Sequence, residues 1–421
     1  MTDIIGDSVE PAQDSAALDL PDAPVHGWRA KVAKRVLTRI LRGVRVTAHL
    51  PGAETYGDGR GPAIDITQPE RFFARLGRSP MIGLGESYMA GEWRASRGTD
   101  LADALAPFAA RLDELIKPAF YRLRHVVLPR GLNPENSVTG ARENIERHYD
   151  LSNDMFEQFL DPSLSYSSAL FGSLARPPAL ADLEAAQLRK VDAILDSADV
   201  GEGTRLLEIG TGWGTLAIRA AQRGARVTTI TISTEQAALA QQRVDEAGVG
   251  DMVEIGLRDY RDQTGLFDAV VSVEMIEAVG EKYWPTYFRA IDSLLAPGGK
   301  AAIQAILIEH HRMVATRDTY TWIHKYIFPG GMLPSTRAIR EVLAEHTTLH
   351  AAKVTTMGQH YAHTLRLWRE RFLANRPQVA ALGFDETFGR MWEFYLAYCE
   401  AGFRTGYLDV AQVQLSRRAA T

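Results

Sequence analysis

The 421-residue chain reads as an α/β protein: a doubly wound, mostly parallel sheet preceded by a smaller α+β domain. Three observations predict this. From about residue 190 short apolar strands alternate with helical segments, the signature of strands covered on both faces. The first of those strands runs straight into a glycine-rich turn, EIGTGWG, Glu208 to Gly214. The length exceeds one typical domain, and the stretch 126–142 is rich in Pro, Gly and Asn, as a linker would be.

The elements follow in order. Residues 1–25 carry six acids and no Lys or Arg, which predicts a disordered acidic tail. HGWRAKVAKRVLTRILRGVR inverts the charge, and Trp28, Val32, Val36, Ile40, Leu41 and Val44 recur at helical spacing with cations on either side. Such a helix can lie on an anionic membrane surface, or its stripe can pack on its own domain. VRVTAHL and AIDIT read as strands, PERFFARLG and DLADALAPFAARLDELI as helices, so 26–125 is expected to be a small α+β domain. Residues 143–421 form the second domain. RLLEI, RVTTITI, MVEIGL, FDAVVSV and KAAIQAILI are its strands. TLAIRAAQRG, STEQAALAQQRVDEAG and WPTYFRAIDSLL are helices, the second capped by Ser233 or Thr234.

Bulk properties exclude several classes. A net charge of −5 offers no global field for nucleic acid. One cysteine, Cys399, allows no internal disulfide and no cysteine-rich metal site. No apolar run approaches the roughly 18 residues of a membrane span, and the N-terminus lacks a secretory pattern. A cytoplasmic protein, peripheral at the inner membrane surface, is expected. His310 and His311 have no partner at metal-ligand spacing and read as surface residues. Trp322, Tyr326, Phe328, Phe394, Tyr395 and Tyr398 read as core or tunnel wall.

The turn carries the chemistry. In a doubly wound, Rossmann-like sheet it lies at the carboxyl edge, where ligands bind. Gly210, Gly212 and Gly214 let the backbone approach a ligand, and the G-x-G-x-G spacing with Glu208 ahead of it suits S-adenosyl-L-methionine, which has no pyrophosphate to wrap. Thr211 within the turn, Thr231, Ser233 and Gln236 in TISTEQ, and Asp259 and Tyr260 in RDYRD fall at the ends of the first three strands and complete the expected cofactor site.

HYDLSNDMF, SYSSALF, LEIGTGWG, TISTEQ, RDYRD, FDAVVSVEMIEAVG, KYIFPGGMLPS and GQHYAHTLRLW resemble, in that order, the cyclopropane fatty acid synthase family. The resemblance runs from about residue 142 to FRTGYLDVAQVQLSR, and more weakly over 45–125. It implies an S-adenosylmethionine-dependent enzyme that places one carbon on the cis double bond of an unsaturated acyl chain in a membrane phospholipid. It adds Tyr166 and Ser167 to the cofactor site, and His148, Tyr149 and Asp150 to its lip. It also implies a bound bicarbonate as base. Two of its holders carry over directly as Glu277 and Tyr361, with the amide of Ile306. The thiol and imidazole holders are replaced by Ser168 and Gln304, and the usual Glu-His pair reads Glu277-Ala278.

Glu146 stands where the resemblance leads one to expect a neutral or basic side chain. It reads either as an exposed helix-cap acid or as a carboxylate facing the acyl tunnel, able to take a proton from a cationic intermediate. Together with Ser168, Gln304 and Thr211, it favours the actinobacterial subgroup that forms a 10-methylene acyl chain on the tuberculostearic acid pathway, with a separate reductase downstream. Ring closure to a cyclopropane is the other outcome. A small-molecule methyltransferase and a non-catalytic lipid-binding protein are the competing readings. A homodimer would present two basic helices to one membrane.

Overall fold

In the computed structural model, residues 20–21, 27–115 and 152–418 are described. The N-terminal part opens with helix α1 (Trp28–Leu41). Strands β1 (Thr47–His49), β2 (Thr55–Tyr56), β3 (Ala63–Ile66) and β4 (Trp93–Ala95) form a small sheet in the order β2-β1-β3-β4. Helices α2 (Pro69–Arg78), α3 (Pro80–Met89) and α4 (Leu101–Ala109) complete it. Pro69 and Pro80 each sit in the first turn, where no amide is needed. Asp100 caps α4 by accepting from the amides of Ala102 and Asp103. The expected long helix over 100–116 breaks after Ala109, beyond Pro107, and resumes at Leu112.

The second part carries β5 (Arg205–Ile209), β6 (Arg226–Thr231), β7 (Val253–Leu257), β8 (Phe267–Val273), β9 (Leu295–Ile308), β10 (Leu349–Thr356) and β11 (Leu408–Arg417). The sheet order is β10-β11-β9-β8-β5-β6-β7. The pairs from β7 across to β9 are parallel, as the apolar runs predict. β11 joins antiparallel to β9, and β10 antiparallel to β11. The sequence reading assigned neither of these last strands. Helices α5 (Leu183–Ser197), α6 (Thr215–Gln222), α7 (Thr234–Glu246) and α8 (Trp284–Leu294) connect and cover the sheet. α9 (Gly358–Ala374) and α10 (Glu386–Arg404) pack together beside it.

The two parts share one core. Phe72, Trp93 and Leu101 lie in the same apolar cluster as Phe156, Trp368, Trp392 and Phe394. α10 packs on α3 and α4. Arg369, buried, bridges Asp100 at 2.8 Å and Glu400 at 2.9 Å, tying α4 to α9 and α10. Among the described residues no helix is long and apolar enough to cross a membrane. Of the expected acidic tail only Leu20 and Pro21 are described, and the Pro21 carbonyl accepts from Arg75 at 2.7 Å. The expected linker at 126–142 lies outside the described residues.

Candidate active site

β5 ends at Ile209 and the chain turns through Gly210 at φ 99° and Gly214 at φ 87°. Both lie in the left-handed region that favours glycine. A side chain at Gly210 would also press on Met275 Cγ at 3.0 Å, and one at Gly214 on Ala240 of α7 at 3.3 Å. The turn therefore lets α6 start immediately and keeps its N-terminus close to the strand ends.

A cavity of about 560 Å³ opens over this turn. Glu208, Gly210, Thr211 and Gly212 border it from β5, and Thr231 and Gln236 from β6 and α7. Asp259 and Tyr260 border it after β7, and Tyr166 and Ser167 from the loop before α5. Two expected cofactor residues stand behind this lining. Ser233 spends its hydroxyl capping α7 through the Gln236 amide at 3.2 Å, and Gly214 is the cap position of α6. Asp259 has its carboxylate held by Arg261 and by the Arg261 amide. Thr211 turns its hydroxyl to Thr229 at 2.8 Å, which is also 2.7 Å from Glu208. These residues fit S-adenosylmethionine: a backbone-lined floor for its amino-acid part and polar strand ends for its nucleoside.

The floor is electrically unusual. Glu208 is buried, and burial pushes its carboxyl up to about 8. Lys190 of α5 is buried as well, which brings its ammonium down to about 8 against the opposing pull of Glu274, Asp161 and Glu208. Its Nζ donates to Ser167 Oγ at 2.6 Å.

The second half of the site holds a pair of carboxyls just past β8. Glu274 adopts φ 50°, rare for a residue with a side chain, and its amide is pinned to the Gln304 carbonyl of β9 at 2.8 Å. Its Oε1 accepts from the Ser168 amide at 2.9 Å and from Gln304 Nε2 at 2.8 Å. Its Oε2 accepts from the Tyr361 hydroxyl at 2.9 Å. Gln304 is oriented for this by Gln412, whose Nε2 donates to Gln304 Oε1 at 3.2 Å. Glu277, three residues on, accepts from the Ile306 amide through Oε1, while its buried Oε2 has no partner among the described residues. Burial first, and the charge of Glu274 second, push Glu277 up to about 8.

The expected residues Glu277, Tyr361, Ser168 and Gln304 are thus brought together, but not around a free anion. Two donors assigned to bicarbonate, Gln304 and Tyr361, already serve Glu274 together with the Ser168 backbone amide, and the Ile306 amide serves Glu277. The pocket does not fit bicarbonate. Ser168 also contributes differently from the expectation: its hydroxyl donates to the Ala169 carbonyl at 3.1 Å, and its backbone amide makes the contact to the carboxylate. Ser168 and Gln304 lie behind Glu274 rather than on the cavity wall.

Glu274 and Lys190 escaped the sequence reading. A charged side chain in the apolar run VVSVEMIEAV, three places before another acid, was the available signal for Glu274. Glu146, His148, Tyr149 and Asp150 lie outside the described residues. Phe328, Tyr395 and Tyr398 border the cavity as wall, and Trp322 and Phe394 are buried core. Cys399 is also wall, its thiol pushed up to about 12 by burial.

Residues 136–413 match the family model described as mycolic acid cyclopropane synthetase. Tuberculostearic acid methyltransferase UfaA1 of Mycobacterium tuberculosis is 51% identical over 413 residues, 96% of this chain and 95% of that protein. Cyclopropane-fatty-acyl-phospholipid synthase of Escherichia coli (strain K12) is 35% identical over 86% of this chain and 89% of its own length. The structure of the mycolic acid cyclopropane synthase CmaA1 complexed with SAH and CTAB superposes with a TM-score of 0.59 at 30% identity, covering 65% of this chain and 97% of that one. With the glycine turn and the cavity above it, these matches establish that the chain is an S-adenosylmethionine-dependent methyltransferase belonging to the mycolic acid cyclopropane synthetase family.

Proposed function

We propose that the protein transfers one carbon from S-adenosylmethionine to the cis double bond of an oleoyl-type chain in a membrane phospholipid, leaving a 10-methylene acyl chain. The observation that carries this reading is the shape of the cavity. It runs without interruption from the glycine turn to a wall made by both parts of the molecule, with Leu84, Leu105 and Phe108 on one side and Ile323, Phe328 and Met332 on the other. That wall is mostly apolar, which suits a long hydrocarbon chain. An alkene is a weak nucleophile, so it must be held in line with the methyl group in a dry site. The cofactor supplies an electrophilic methyl group on sulfur and leaves as a neutral thioether. The rings of Tyr166, Phe328 and Tyr395 border the same space and can stabilise a carbocation by their faces.

The methylene product is favoured by the likeness to a tuberculostearic acid methyltransferase and by the replacement of the expected anion pocket with a protein carboxylate. A methylene branch is an alkene that a separate reductase can convert to a methyl branch. Access to phospholipid comes through α1. Trp28, Val32 and Val36 are exposed by 71, 45 and 36%, with Arg29, Lys31, Arg35 and Arg39 exposed around them. Leu41 and Val44, at the far end of the same stripe, are buried and anchor it. This arrangement suits the surface of an anionic bilayer.

The test supplies methyl-labelled S-adenosylmethionine and vesicles of oleoyl phospholipid, then hydrolyses the lipid for mass spectrometry and proton NMR. Vinylidene protons in the labelled chain are the expected result. Upfield ring protons would replace the methylene product by a cyclopropane. No label in lipid, with the cofactor still bound, would sink the acyl-chain reading in favour of a small-molecule acceptor.

A further inference from the structure

Resting on the acyl-chain reading above, we propose that Glu274 is the catalytic base, a carboxylate built into the protein that takes the proton released when the methylated cation collapses to product. Four observations converge on it. The side chain borders the cavity. Its backbone is held at φ 50° by the hydrogen bond to Gln304, a conformation that persists only where surrounding structure imposes it and that gathers at functional sites. Its carboxylate accepts hydrogen bonds from the Ser168 amide, Gln304 and Tyr361, donors that hold it in one orientation and oppose the upward push that burial gives its pKa. A carboxylate offers roughly four acceptor positions. Among the described residues three are used, which leaves one on Oε2.

Among the described residues the other titratable groups on this wall are less suited; His324, for one, has Nδ1 engaged by Thr321 and Nε2 by the Gly331 carbonyl. Glu277, buried beside Glu274 and supported by the Ile306 amide, is pushed up to about 8, which favours its protonated form. Glu208 lies under the glycine turn on the cofactor side, against Thr229. The hydroxyl of Tyr361 already donates to Glu274. Lys190 is committed to Ser167, and its charge, with the hydrogen bonds from Ser168, Gln304 and Tyr361, opposes the rise that burial imposes on the Glu274 carboxyl.

The step balances as follows. The π pair of the double bond forms the new carbon–carbon bond to the methyl group while the sulfur–methyl pair stays on sulfur. The neighbouring carbon is left positive. A hydride then moves to it from the methyl-bearing carbon, carrying its pair, so the charge sits beside the new methyl group. One methyl C–H pair becomes the second bond of the methylene, and the proton passes to Glu274 Oε2. Neutral Glu274 returns that proton to water once product leaves. No external base enters.

The experiment compares wild type, Glu274→Gln and Glu274→Gly in carbon-dioxide-free buffer, with label incorporation into oleoyl phospholipid and S-adenosylmethionine affinity by calorimetry as separate readouts. Wild type is expected to turn over within about two-fold of its rate in bicarbonate. Glu274→Gln should bind cofactor normally but lose about 100-fold or more in turnover, the usual scale for a missing general base. Glu274→Gly relieves the positive φ and leaves the three donors facing a void, so added formate, acetate or bicarbonate should restore turnover in a saturable way. Wild-type turnover that collapses without bicarbonate and returns with it would overturn the assignment while leaving the acyl-chain reading intact. So would a Glu274→Gln protein at near full rate. Wild type that binds cofactor yet labels no lipid in any buffer would remove both.

Discussion

A carboxyl buried beside a second carboxyl is pushed towards its neutral form, and Glu277 is in that position. Its ordinary value of 4.5 rises to about 8 in the fold. The unfolded chain therefore loses this proton near pH 4.5 while the folded chain keeps it, so the folded state loses stability as pH climbs through that window and levels off above about 8. Each unit is worth at most about 1.4 kcal/mol. Glu277→Gln removes the penalty. Its thermal midpoint should exceed that of wild type by about 2–4 °C at pH 8 and by less than about 1 °C at pH 5, measured by scanning calorimetry. A gain that does not grow with pH would mean that Glu277 is already charged in the fold. The same residue shows how far sequence reading reached. Motif position picked out Glu277, Tyr361, Ser168 and Gln304 as neighbours, which they are. Their common partner, Glu274, was invisible because its role depends on a backbone angle and on donors that arrive from residues 168, 304 and 361.

At the scale of elements, α1 shows one apolar stripe divided between two tasks. Leu41 is fully buried, and α1 crosses α2 at Gly77, where a side chain would come within 2.7 Å of the Arg29 backbone. The helix is thereby fixed with Trp28, Val32 and Val36 outward. Lys31→Ala combined with Arg35→Ala removes two exposed charges, each worth about 1 kcal/mol at an anionic surface. Sedimentation with anionic vesicles at low salt should weaken by about 30-fold, with no change for neutral vesicles. Equal binding by the variant would place the membrane contact elsewhere. The last two strands were missed for a related reason. β10 is an edge strand with mostly exposed residues, and β11 carries Gln412 at its centre, so neither shows the apolar run of a covered strand. Gln412 is tolerated because it reaches Gln304 and the Lys190 carbonyl.

Across the whole molecule, the two parts are joined by core and by charge. Arg369 is 4% exposed at its side chain and Glu400 is 1% exposed, and Asp100 joins them from the N-terminal part. Removing one member of a buried pair strands the other charge, which typically costs about 3–5 kcal/mol. Arg369→Ala should lower unfolding stability by about 3 kcal/mol in denaturant titration, the remaining Arg404 contact at 3.2 Å softening the loss. An unchanged midpoint would show that the bridge does not couple the parts. Because Leu105 and Phe108 of the N-terminal part line the cavity, loosening this joint should also slow methyl transfer to the acyl chain.

The sequence alone determined the five parallel strands, their glycine turn, the cofactor and the family, because these depend on local pattern: runs of apolar residues, turns that favour glycine, and short motifs in fixed order. It also picked out Glu277, Tyr361, Ser168 and Gln304 as neighbours in the second half of the site. What only the tertiary structure decided is what they meet around. Burial sets whether a carboxyl is charged, and hydrogen-bond donors from distant segments set which one. That is why the expected place for a bound bicarbonate turned out to hold the carboxylate of Glu274. It is also why the cavity's apolar wall, drawn from both parts of the chain, could be read only once those parts were packed against each other.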